Sequence, residues 1–155
     1  MLKWLWISAL TLLLDQASKL AIDGSMRLYE SIPLLPFFNL TYAHNTGAAF
    51  SFLSSAGGWQ RWLFTGLALV MSTVIAVWLA RLQKHETLMA IALSLVLGGA
   101  IGNLIDRIAY GYVIDFLDVY YKTWHWPAFN IADSAICVGV GLMVLESFEV
   151  GRKAV

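Results

Sequence analysis

Hydrophobic residues in this chain come mainly in long unbroken runs rather than in an amphipathic period. Residues 62–80 carry no charge and are bracketed by Arg61 and Arg81. Residues 87–105 repeat that arrangement between Glu86 and Asp106. A third run opens at Trp4, stays uncharged to Leu14 and continues to Ile22 across Asp15 and Lys19. A fourth covers residues 129–147, with Asp133 near its start and Glu146 near its end. About 20 residues at ~1.5 Å each cross a hydrocarbon core of ~30 Å. Inside lipid the backbone must satisfy its own hydrogen bonds, so these runs predict helices.

Between the first two runs the pattern changes. Phe38-Asn-Leu-Thr-Tyr-Ala-His-Asn-Thr-Gly47 alternates apolar with polar residues, which predicts a short strand or hairpin. Asn45-Thr46-Gly47 reads as its turn, because Asn and Gly tolerate positive φ. The small and aromatic stretch from Ala48 to Leu53 suits the lipid boundary. The expected fold is an all-α membrane protein with a small β element. It comprises four transmembrane helices, a small extracytoplasmic sheet and a short extracytoplasmic loop or helix. Residues 1–155 form a single integral membrane domain, with outer segments at 23–61 and 106–128.

Composition agrees with lipid as the solvent. The chain is 59% hydrophobic and 13% charged, against about a quarter charged for a soluble domain. Zero formal net charge gives no reason to expect nucleic acid. The single cysteine, Cys137, excludes an internal disulfide and a cysteine metal cluster, and reads as a packing residue. The first run has no small-x-small site before Asp15, so it is expected to be a retained helix rather than a cleaved leader. Four spans put both termini on one side. Lys3, Arg81, Lys84, Arg152 and Lys153 crowd the short segments of that side, which the positive-inside rule places in the cytoplasm. Trp59, Trp62, Trp124 and Trp126 would mark the outer interface, and Trp4, Trp6 and Trp78 the inner one.

The charges retained near lipid are the informative ones. A carboxylate at the centre of a membrane helix costs ~2.5–3.5 kcal/mol on insertion scales. Asp106 closes the third span and Asp133 opens the fourth, so both lie on the outer side, with Asp115 between them. Asp115 and Asp133 can meet there. Two nearby carboxylates share a proton, so one can accept a proton from water while the other donates. Taken singly, Asp115 could be a solvated loop carboxylate and Asp133 a charge favoured by a helix N-terminus. Asn103, Asp106 and Arg107 crowd one helical turn, and Asn130 lies on one face with Asp133. That convergence favours a site. Asp106 is expected to anchor its helix end, and Arg107 could hold a carbonyl or head group. Asp15 and Lys19 are i,i+4 and read as a self-contained pair, with Asp15 also able to meet backbone of the sheet segment. Asn45 is either a turn residue or a contact to a substrate backbone. Gly98-Gly-Ala-Ile-Gly102 is a close-packing stripe that could also leave room for a substrate helix. His-x-x-x-His, Cys-x-x-Cys and Gly-x-Ser-x-Gly are absent, so neither a metal nor a cofactor is invoked.

Five motifs in order resemble the lipoprotein signal peptidases, or signal peptidase II, of bacteria. They are Asp15-Gln-Ala-Ser-Lys19, Asn45-Thr-Gly-Ala-Ala-Phe50, Gly102-Asn-Leu-Ile-Asp-Arg107, Val113-Ile-Asp-Phe116 and Phe129-Asn-Ile-Ala-Asp133. The fourth block usually reads Val-Val-Asp in the family, and Ile114 is a conservative change. The resemblance implies that Asp115 and Asp133 are a catalytic aspartic dyad. It implies that Asn103, Arg107 and Asn130 contact substrate or order the site, and that Asn45 lies in a mobile outer flap. Asn45, Gly47, Asp15, Lys19 and Asp106 join the substrate-binding or site-ordering set. It further implies cleavage of a diacylated prolipoprotein before its lipid-modified cysteine, in the bacterial inner membrane near the outer face. A monomer in the lipid bilayer is expected. Without the motifs, a proton-coupled transporter or a non-catalytic assembly subunit competes with the peptidase.

Overall fold

A computed structural model describes residues 1–47 and 58–153, with side chains described as far as Phe148. A 3-10 turn at Leu2–Trp4 leads into α1, Leu5–Ser25. Then follow β1 (Ser31–Leu35), β2 (Phe38–Asn45), α2 (Trp59–Arg81), α3 (Thr87–Ala109), β3 (Val113–Tyr121), β4 (Trp124–His125) and α4 (Ile131–Lys153). Four helical stretches, 2–25, 59–81, 87–109 and 131–148, are long and apolar enough to cross a bilayer. The chain is a multi-pass membrane protein.

The helices run a few residues beyond several of the uncharged stretches, because polar turns at the ends remain helical where they find partners. α3 is the central helix and packs against α1, α2 and α4. Its glycines make this possible. A Cβ on Gly98 would lie 2.7 Å from the Ser8 carbonyl oxygen of α1, and one on Gly99 would lie 2.3 Å from the Ala132 carbonyl oxygen of α4. One on Gly102 would meet the Asp15 carboxylate at 2.5 Å. The stripe therefore serves internal close approach on two sides. It does not stand open beside a vacant groove, which corrects the expectation of room there for a substrate helix. α2 exposes Trp62, Leu67, Leu69 and Val70 to the surroundings, as a lipid-facing helix must.

The sheet has the order β1-β2-β3-β4, all antiparallel. β2 is the alternating stretch seen in the sequence, and its partners come from both sides of α2 and α3. Ala43 pairs with Asp115 and Asn45 with Val113. The second connecting segment departs from the expected loop or helix. Val113–Tyr121 is a strand, because β2 pairs with its backbone while α1 and α3 pack against it. One face of this sheet packs Tyr42, Ile114 and Phe116 onto Ile22 and Met26 at the end of α1. The other face carries Asp115 toward α3 and α4. The Ala48–Leu53 stretch lies outside the described residues.

Candidate active site

The site is built on the start of α4. Asn130 precedes that helix, and its side-chain oxygen accepts the Asp133 N–H at 2.9 Å, an N-cap that fixes the first turn. Its amide nitrogen is then free to point the other way. It donates to Asp115 Oδ1 at 2.7 Å, to the Ile114 carbonyl at 3.2 Å and to Asn103 Oδ1 at 3.3 Å. Asn103, on α3, donates in turn to Asp133 Oδ1 at 2.7 Å. Two amides thus join the carboxylates of β3 and α4 through a closed path of hydrogen bonds. Asn45 adds a third amide, donating to Asp115 Oδ2 at 3.0 Å. Its own oxygen accepts the Gly47 N–H at 3.0 Å, so Asn45 is both turn residue and site contact.

Behind this pair sits a second, fully buried cluster. Lys19 Nζ lies 2.8 Å from Asp15 Oδ2, 2.9 Å from Asp106 Oδ2 and 3.0 Å from Asn103 Oδ1. The expectation of a self-contained Asp15–Lys19 pair is therefore too local. The lysine bridges α1 to α3, since a buried cation needs its donors filled. Nor does Asp15 meet the sheet backbone among the described residues. Its other oxygen accepts the Ala132 N–H at 2.9 Å, at the positive end of α4. Asp106 accepts from Ile114 N–H at 3.2 Å and from Gln16 at 2.9 Å, anchoring the start of β3. Gln16 is a site-ordering residue that sequence reasoning passed over. An amide beside Asp15 inside an apolar run was its signal.

Asp133 Oδ2 takes no hydrogen bond among the described residues, and Asp133 lines a cavity of about 630 Å³ with Asn45, Asn103 and Arg107. The far wall is apolar, formed by Trp126, Pro127, Ala128 and Phe129. Asp115 is set behind Asn45, 2% exposed. Burial first, and the charge of Asp133 second, push its carboxyl up to about 7. Arg107 donates to the carbonyls of Asn103 at 3.3 Å and Gly47 at 3.2 Å and lies over the Phe64 ring. Asp15, Lys19, Asn45, Gly47, Asn103, Asp106, Arg107, Asp115, Asn130 and Asp133 lie in these two connected clusters.

Residues 7–149 match the family described as signal peptidase (SPase) II. The chain belongs to the signal peptidase II family. Among its relatives, the lipoprotein signal peptidase of Alteromonas mediterranea is 55% identical over 152 residues, covering 98% of this chain and 84% of that one. That of Shewanella pealeana is 57% identical over 151 residues, covering 97% and 89%. A solved structure described as a bacterial membrane enzyme superposes with a TM-score of 0.86 at 30% identity, over 95% of this chain and 88% of that one. This signal peptidase is thus a membrane-embedded peptidase whose fold recurs in solved bacterial membrane enzymes.

Proposed function

We propose that this signal peptidase II removes signal peptides from bacterial prolipoproteins, cleaving before a diacylglyceryl-modified cysteine, with Asp115 and Asp133 as its catalytic pair. The observation that carries the reading is the amide-bridged pair at the edge of an apolar-walled cavity. The two carboxylates share one proton. Asp115, the more deeply buried and the one raised toward neutrality, holds it. Asp133, which lines the cavity, takes a proton from water. The water oxygen then bonds to the scissile carbonyl carbon, and the Asp115 proton passes to the carbonyl oxygen. Collapse of the resulting diol breaks the C–N bond: the proton gained by Asp133 leaves with the amine, and a diol hydroxyl returns its proton to Asp115 as the carbonyl re-forms.

Asn45, Asn103 and Asn130 orient the pair. Arg107, at the same cavity, is placed to hold a substrate carbonyl. A lipid-modified cysteine keeps its bond at the depth of the sheet while its acyl chains stay in the bilayer, so remote binding positions the bond. The same reading puts the enzyme in the inner membrane, with both termini cytoplasmic and the sheet on the outer face. It acts as a monomer and uses no metal or nucleic acid.

The test is cleavage of a synthetic diacylglyceryl prolipoprotein peptide by purified enzyme. Asp115→Asn and Asp133→Asn should each abolish it while each variant still unfolds cooperatively in a detergent melt. A chelator should leave the rate unchanged. Restoration of a chelator-treated enzyme by added zinc would contradict the metal-free reading.

A further inference from the structure

The apolar wall of the cavity belongs to a segment that is weakly held by its own strand. β4 is two residues long, pairing His125 with Tyr120 and Trp124 with Tyr121. Its turn places Lys122 at φ +56, a conformation that side chains with a Cβ seldom adopt. Such a hairpin has little local stability. Yet the wall begins with the very next residue, Trp126, and runs to Phe129. Backbone bonds secure its course, from Trp126 N–H to Val119 at 2.8 Å and from Phe129 N–H to Leu117 at 3.0 Å.

One side-chain cluster secures its start. His125 Nδ1 lies 2.9 Å from both oxygens of Asp118. An ionised carboxylate only accepts, so the imidazole nitrogen carries the proton and donates. Asp118 also accepts from Asn39 at 2.9 Å, directly across the β2–β3 ladder. One buried carboxylate therefore ties three strands together. Its histidine stacks on Tyr120, with centroids 5.1 Å apart. This cluster touches neither carboxylate of the catalytic pair.

We propose that the His125–Asp118 hydrogen bond holds the Trp126–Phe129 wall in register against the substrate, making both positioning residues. The proposal rests on the reading of the cavity as the substrate site. A loosened wall weakens substrate binding and leaves the Asp115–Asp133 geometry intact, so apparent KM rises and kcat does not fall.

Two substitutions separate the hydrogen bond from the ring. His125→Phe keeps the stack on Tyr120 and removes the donor. His125→Asn places an amide where Nδ1 stood and removes the ring. With the diacylglyceryl peptide, His125→Phe should raise apparent KM about three- to tenfold, the worth of one hydrogen bond, with kcat within about twofold. His125→Asn should stay near wild type. Asp118→Leu removes the acceptor of both His125 and Asn39 and should raise apparent KM at least as far as His125→Phe, which keeps the test decisive should one variant fail to fold. An unchanged KM in His125→Phe, an equal rise in His125→Asn, or a loss confined to kcat would each overturn the proposal. Asp133→Asn run alongside tells the two readings apart. If it retains cleavage, the assignment of the cavity falls; if it is inactive while His125→Phe behaves as wild type, only the brace falls.

Discussion

Asp115 shows how a single carboxylate is tuned by its neighbours. Burial and Asp133 raise it, whereas the amides of Asn45 and Asn130 and the charge of Lys19 oppose the rise. With the proton residing there at about pH 7, cleavage should fall as pH climbs through and above neutrality. Asn45→Ala removes a bond that favours the ionised form, so its alkaline limb should move to higher pH in a kcat profile. A carboxyl raised from 3.8 to about 7 on folding favours the folded state most fully at low pH. That contribution fades as pH rises across this window, so this residue's share of stability is greatest on the acid side. Thermal melting of wild type and Asp115→Asn between pH 4 and 8 should show the gap shifting in the variant's favour as pH increases.

At the scale of elements, two devices hold the helices in place, and they differ in how visible they are in the sequence. Small residues at Gly98, Gly99 and Gly102 announce close packing, and α1 and α4 take up the space. Gly99→Ala should cost about 1–3 kcal/mol or more, since its methyl would meet the Ala132 backbone rather than a flexible side chain. Gly66→Ala and Gly141→Ala, where nothing lies within 4 Å, should stay within about 1 kcal/mol of wild type in detergent unfolding. The second device is Lys19. Its i,i+4 relation to Asp15 is readable from spacing, but its reach to Asp106 is set by how α1 docks on α3. Lys19→Met leaves two buried carboxylates unpaired, so a loss of about 3–5 kcal/mol is expected. Reduced cleavage should follow that loss, because Asn103 loses the shorter of the two hydrogen bonds to its side-chain oxygen.

For the whole molecule, spans and site converge from opposite ends of the chain. The uncharged runs make the four helices legible, since nothing but a bilayer suits them. The alternation of Phe38–Asn45 makes one strand legible. β3 was not, because its pattern acquires meaning only beside β2, across two intervening helices. The catalytic candidates were readable because each motif carries polar residues where lipid would exclude them. The cross-brace at Asp118 was not, because ordinary surface loops also contain Asp and His. With Cys137 replaced by Ser, a cysteine at Lys84 should be blocked by an impermeant thiol reagent only after the inner membrane is opened. One at Lys122 should react in intact spheroplasts. The reverse pattern would invert the proposed topology.

The most direct measurement sets wild type beside Asp133→Asn on a diacylglyceryl prolipoprotein in detergent micelles, with the released peptide weighed by mass spectrometry. The account predicts one product from wild type, ending at the residue before the lipid-modified cysteine, and none from a folded Asp133→Asn enzyme. Cleavage by that variant at a comparable rate would contradict it.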